Sequence, residues 1–176
     1  MIGQVEVLRA FVTLHELRPD WRGKIVLVSP LDARGMALAM ACVMVGAVCL
    51  AMDEDPAKAR MAMRDGCCDF VVTTLDEALR TMKNEVRKGA ALSVGLTGDV
   101  KSIRAELMER GVVAVLDTAR SPLVVRELSL MTSTAQLLPE RREKDAELIA
   151  GSEGVSRRWL ELAPRYFPRE LDRSYF

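Results

Sequence analysis

The chain lacks an excess of charge of either sign, a long apolar span, a metal-ligand pattern and all but one histidine. Lysine plus arginine equals aspartate plus glutamate, at 25 each. No global field would therefore gather a polyanion, which argues against nucleic acid and anionic membrane as partners. The longest uncharged run, Met36 to Met52, is split by Gly46 and is too short to span a bilayer as one helix. Glu6, Arg9 and Glu16 interrupt the first apolar stretch, whose spacing is helical and unlike a signal peptide. These features point to a cytoplasmic protein that spans no membrane.

The four cysteines, Cys42, Cys49, Cys67 and Cys68, make no CxxC pair. Adjacent Cys67 and Cys68 cannot easily chelate one metal, and His15 is remote in sequence, so no zinc site is expected. His15 falls on the apolar face of a first helix with no thiol marked beside it, which disfavours a Cys/His nucleophile. The thiols read as buried and reduced. No residue stands out as catalytic.

Regular alternation is what the sequence does have. Apolar positions at Val5, Leu8, Phe11, Val12 and Leu14 make residues 2–17 an amphipathic helix, broken by Pro19 and Gly23. Lys24 to Ser29 is a β-branched and leucine run, the mark of a strand covered on both faces. A buried Ala/Met helix follows over Met36 to Val45, then a second strand over Ala47 to Met52. Pro56 opens a helix to Arg64, with Asp53, Glu54 and Asp55 at the positive end of its dipole. Phe70 to Thr73 is a third strand. Thr74 and Glu77 form a capping box that starts a helix ending at Gly89. Leu92 to Leu96, a helix from Gly98–Asp99 to Arg110, and Val112 to Leu116 complete five strand–helix alternations.

That order predicts an α/β fold, a doubly wound parallel sheet with helical N- and C-terminal extensions. Ligands of such sheets bind beyond the carboxyl ends of the strands. The loops to watch are therefore Ser29–Arg34, Met52–Asp55, Thr73–Thr74, Gly95–Asp99 and Asp117–Pro122. Asp53, with Glu54 and Asp55, suits capping of the helix at Pro56. Gly98–Asp99 caps the next helix, whose N-terminus could also receive an anion.

After Pro122 the alternation fades, dividing the chain into a domain over residues 1–139 and a tail over 140–176. In the tail, helices are expected over Glu140 to Ala150 and Val155 to Leu162, with a hinge at Gly151 to Gly154 between them. Five of the eight aromatics (Trp159, Tyr166, Phe167, Tyr175 and Phe176) lie in it. So many aromatics need a surface, either the domain itself or a second copy in a homodimer.

The segments "GAVCLAMDEDPAKAR", "TLDEAL", "KGAALSVGLTGDV" and "ELMERGVVAVLDT" are similar, in order and spacing, to the central domain of urocanase (urocanate hydratase). The likeness begins at "WRGKIVLVSP" and runs to Leu123, about three-fifths of the chain. It implies a Rossmann-like module holding NAD. The family's glycine-rich turn falls on residues 32–38, where Gly35 and Ala37 are retained and Asp32, Ala33 and Arg34 replace the other phosphate-facing positions. Glycine there permits close approach to pyrophosphate. Arg34 would contact a phosphate or pair with Asp32 or Asp53. The resemblance places Arg34, Gly35, Met36, Asp53, Lys58, Gly98, Asp99, Asp117 and Arg120 at the cofactor site, with Asp53 on the adenosine ribose.

The family's catalytic cysteine and aspartate belong to another domain with no counterpart here, so this chain alone is not expected to hydrate urocanate. The first expectation is a stand-alone, non-catalytic nucleotide- or dinucleotide-binding module. The alternatives are a cofactor-free oligomerisation or partner-binding domain, or the NAD-binding subunit of a urocanase-type hydro-lyase.

Overall fold

The computed structural model describes residues 2–119 and 154–167 of the 176-residue chain. Arg120, the helix expected over 140–150 and the aromatic pair Tyr175 and Phe176 lie outside the described residues.

Five parallel strands form one sheet in the order β3-β4-β2-β1-β5: β1 Ile25–Val28, β2 Val48–Asp53, β3 Phe70–Val72, β4 Leu92–Thr97 and β5 Leu116–Asp117. The helices are α1 Gln4–Leu17, α2 Ala33–Met44, α3 Pro56–Arg64, α4 Leu75–Lys88, α5 Val100–Glu109 and α6 Gly154–Tyr166. Strand alternation sorts the core into two clusters. Val26, Val28, Cys49 and Ala51 face α1, α2, α3 and α6, while Leu27, Val48, Leu50 and Met52 face α4 and α5. The chain moves outward through β2 to β3 and returns through β4 to β5. Right-handed crossovers then require α2 and α3 on one face and α4 and α5 on the other, as found.

The expected α/β doubly wound parallel sheet is therefore the fold, and the element boundaries differ from expectation for local reasons. Helix α2 begins at Ala33, not Met36, because Asp32 caps it: its Oδ1 accepts the Gly35 N–H at 2.9 Å. Strand β2 runs on to Asp53 and β4 to Thr97, paired in register to their last residues. Strand β5 shrinks to two residues at the sheet edge. Val115 still donates its N–H to the Ile25 carbonyl, but Val113 is 80% exposed. Half of the expected Thr74–Glu77 capping box is formed: Thr74 Oγ1 accepts the Glu77 N–H at 3.3 Å, while the Glu77 carboxylate takes the Thr74 hydroxyl in place of its backbone N–H. Gly89 ends α4 at φ +64°, a left-handed cap that glycine adopts without strain.

Helix α6 extends past its expected end at Leu162, through Pro164 to Tyr166. A proline this close to the helix end removes one backbone bond, and the burial of Trp159, Leu160, Ala163 and Phe167 offsets that loss. Trp159 is fully buried, with its ring centroid 5.5 Å from that of Phe11 on α1. The four cysteines are free and buried. Among the described residues no group of three or more His, Cys, Asp or Glu side chains is arranged to hold a metal ion, and no helix is long and apolar enough to cross a membrane.

Candidate functional site

The carboxyl ends of β1, β2, β4 and β5 meet at one edge of the sheet. Strands β2 and β4 are neighbours there, but the helices that follow them lie on opposite faces. A crevice opens where such connections diverge. It holds a cavity of about 290 Å³ lined by Ser29, Pro30, Asp53, Glu54 and Val100.

Asp53 is the centre of this region. As the last residue of β2 it is only 5% exposed, which an unpaired carboxylate would not tolerate. Its Oδ2 accepts the Leu31 N–H at 2.8 Å and the Lys58 ammonium at 3.3 Å, and its Oδ1 accepts the Asp55 N–H at 3.0 Å. Burial alone would push this carboxyl up. The backbone donors of Asp55 and Leu31, followed by Lys58, outweigh burial and hold it below the usual aspartate value. The Asp53 carbonyl also accepts the Gly98 N–H at 3.2 Å. One residue thus joins the ends of β2 and β4 to the turn after β1. A carboxylate offers about four acceptor positions, so roughly one remains for a ligand hydroxyl.

The helix that follows β2 is capped by Asp55, not by Asp53: Asp55 Oδ1 accepts the Ala57 N–H at 2.8 Å. Asp99 does the same for α5, accepting the Lys101 N–H at 3.2 Å and a short bond from the Ser102 hydroxyl. The Ser102 hydroxyl, then the Lys101 N–H, lower its pKa. With Asp32 on α2, all three helices that open onto the crevice begin with an aspartate carboxylate in the place an anion would take.

Gly35 sits where α2 turns back on the end of β1. A Cβ there would fall 2.0 Å from the Pro30 carbonyl oxygen, so backbone meets backbone with no space for a side chain. Arg34 is exposed in the first turn of α2 and pairs with neither Asp32 nor Asp53; the cation on Asp53 is Lys58. Met36 is buried in the core. Asp117 is engaged by Arg104, whose Nη2 and Nε lie 2.8 and 3.1 Å from its Oδ1. Arg120 lies outside the described residues.

The structure therefore gathers Asp53, Lys58, Gly98 and Asp99 near the cavity and turns Met36 and Asp117 to structural contacts. Sequence reasoning missed Arg104, an ordinary helical arginine until β5 brings Asp117 beside it. It also missed Thr118, whose hydroxyl accepts the Ser29 N–H at 3.0 Å and donates to the Ser29 carbonyl at 2.8 Å. Neither has a local signal, because both contacts span distant positions in the chain.

These residues fit one end of a dinucleotide and not the other. A buried acid at the end of β2 suits a ribose hydroxyl. A pyrophosphate would meet the Asp32 carboxylate, which already holds the Gly35 N–H, at a turn closed down on Pro30. The Urocanase Rossmann-like domain model matches residues 2–123, and that family is associated with NAD binding. The match covers more than half of the chain, and together with the parallel five-stranded sheet it shows that the chain belongs to the urocanase Rossmann-like domain family.

Proposed function

We propose that the chain is a non-catalytic binding module whose crevice takes the nucleoside part of a nucleotide through its ribose hydroxyls and does not keep a dinucleotide as a resident cofactor. The observation that carries this reading is Asp53, a buried carboxylate with three protein donors and an acceptor position left over beside a cavity of about 290 Å³. That volume lies at the lower end of small-molecule sites, roughly 300–1,000 Å³. Ser29, Glu54 and Val100 would complete the pocket, Lys58 and Gly98 would hold Asp53, and Arg34 and Asp99 would stand at its mouth. The three capping aspartates favour a neutral ligand over a diphosphate.

The test is thermal unfolding with adenosine, AMP, ATP and NAD at millimolar concentration. A ligand present at a hundred times its Kd stabilises by about 2.7 kcal/mol. Adenosine should raise Tm at least as much as ATP or NAD does. No shift with adenosine, or the largest shift with NAD, would overturn the reading.

A second reading, a cofactor-free assembly domain, draws on a different surface. Met108, Val113 and Val115 are exposed near a cavity of about 310 Å³ between α5 and β5, lined by Leu27, Leu107 and Val112 among others. Exposed apolar groups so placed suit a second copy of the chain. Sedimentation of the wild type and of Val113→Glu separates the cases: a dimer that the substitution dissociates supports assembly, and a wild-type monomer counts against it.

A further inference from the structure

We propose that His15 is an acid-sensitive latch between α1 and α6, and that protonating its imidazole loosens the seating of α6. Its ring stands edge-on to Phe11, with centroids 4.6 Å apart and planes at 71°, and Phe11 in turn packs on Trp159. Trp159 is the largest fully buried side chain of α6, and Phe167 lies 6.3 Å beyond it. The imidazole thus belongs to the aromatic row that fastens the two helices. Its Nε2 atom is buried with no hydrogen-bond partner. A neutral ring leaves that nitrogen as an unused acceptor, whereas a protonated ring buries an N–H donor and a charge without a partner, a much larger penalty.

One charge across the contact opposes protonation as well. Arg158 on α6 acts on the imidazole with like sign, and burial followed by Arg158 keeps its pKa below the ordinary histidine value. On α6, Glu161 is paired with Arg157 and Arg158 and Arg165 is exposed. On α1, Glu6 and Glu16 are exposed and Arg9 is part-buried. Helix α2, also packed on α1, has Arg34 as its single charged residue, exposed in its first turn. The sign follows from linkage. The released state binds the proton more readily, so docking is complete above the ordinary histidine pKa, about 6.5, and weakens as pH falls below it.

The experiment uses the full chain labelled with 5-fluorotryptophan, whose two tryptophans, Trp21 and Trp159, give separate fluorine signals. Between pH 7.5 and 5.0 the Trp159 signal should lose its buried position while Trp21 stays unchanged. His15→Phe keeps the aromatic packing and should abolish the movement. Arg158→Gln removes the opposing charge and should reduce the released fraction at pH 5.0. The latch is overturned if Trp159 does not move in the wild type, if it moves equally in His15→Phe, or if Trp21 moves in step with it. Should His15→Phe fail to fold, an unchanged released fraction in Arg158→Gln would overturn it alone.

Discussion

Oδ2 of Asp53 accepts the backbone N–H of Leu31 at 2.8 Å, so the end of β2 holds the start of the turn after β1. Replacing Asp53 by alanine leaves the Leu31 and Asp55 donors without their acceptor. The expected loss is about 2–4 kcal/mol at neutral pH, measured by urea unfolding. The effect should also depend on pH. The folded-state pKa is depressed, so Asp53 contributes fully above the unfolded value of about 3.9, and its contribution fades as pH falls through the folded value. The gap between wild type and variant should therefore begin to narrow only below about pH 4 and keep narrowing as pH falls further. A gap that stays constant down to pH 2 would show that Asp53 stabilises by packing alone.

Gly35 presents the opposite case, where a residue matters for what it lacks. Helix propensity alone favours alanine there by about 1 kcal/mol. The Cβ would nevertheless lie 2.0 Å from the Pro30 carbonyl oxygen, and backbone cannot swing aside as a flexible side chain does. Gly35→Ala should destabilise by about 2–3 kcal/mol despite its better propensity. A variant as stable as wild type would mean that the turn after β1 relaxes freely.

These two positions also show what was legible in the sequence. The β-branched run at residues 24–29, the capping box at Thr74 and the glycines after the helices are local signals, and the parallel sheet they implied is the fold. The acid at the end of β2 was legible too. Its use was not, because Leu31 lies 22 residues away and a backbone donor leaves no mark in a sequence. Arg104 and Asp117 escaped notice for the same reason, as their pairing exists only once α5 and β5 are in place. Helix α2 starts three residues ahead of its Ala/Met run because Asp32 caps it, a contact that the apolar pattern does not signal.

The cysteines give a prediction about reactivity. Burial, then the neighbouring Cys49 sulfur, pushes the Cys68 thiol up to about 12; burial, then Cys68, raises Cys67; and Cys49 is raised by a thiol hydrogen bond with Cys42 and by burial. The thiolate is the reactive form, so these groups should be inert in the folded protein. A disulfide reagent at pH 8 should find no fast-reacting thiol in the native chain and all four after denaturation in urea. A rapid single-equivalent phase in native buffer would mean that one thiol reaches solvent without global unfolding.

Asp32 offers the sharpest test of why a diphosphate is a poor guest. Serine also caps helices well, so Asp32→Ser should keep an acceptor for the Gly35 N–H and hold stability within about 1 kcal/mol. What it removes is a negative charge at the positive end of α2. An anion there would then gain from the helix dipole without meeting the carboxylate. ATP should bind the variant about five- to tenfold more tightly than the wild type by calorimetry, while adenosine affinity stays the same. Equal ATP affinity in the two proteins would exonerate the Asp32 charge and leave the closure of Gly35 on Pro30 as the barrier. That outcome would mean the turn rejects phosphate by shape, which no change of charge at residue 32 could repair.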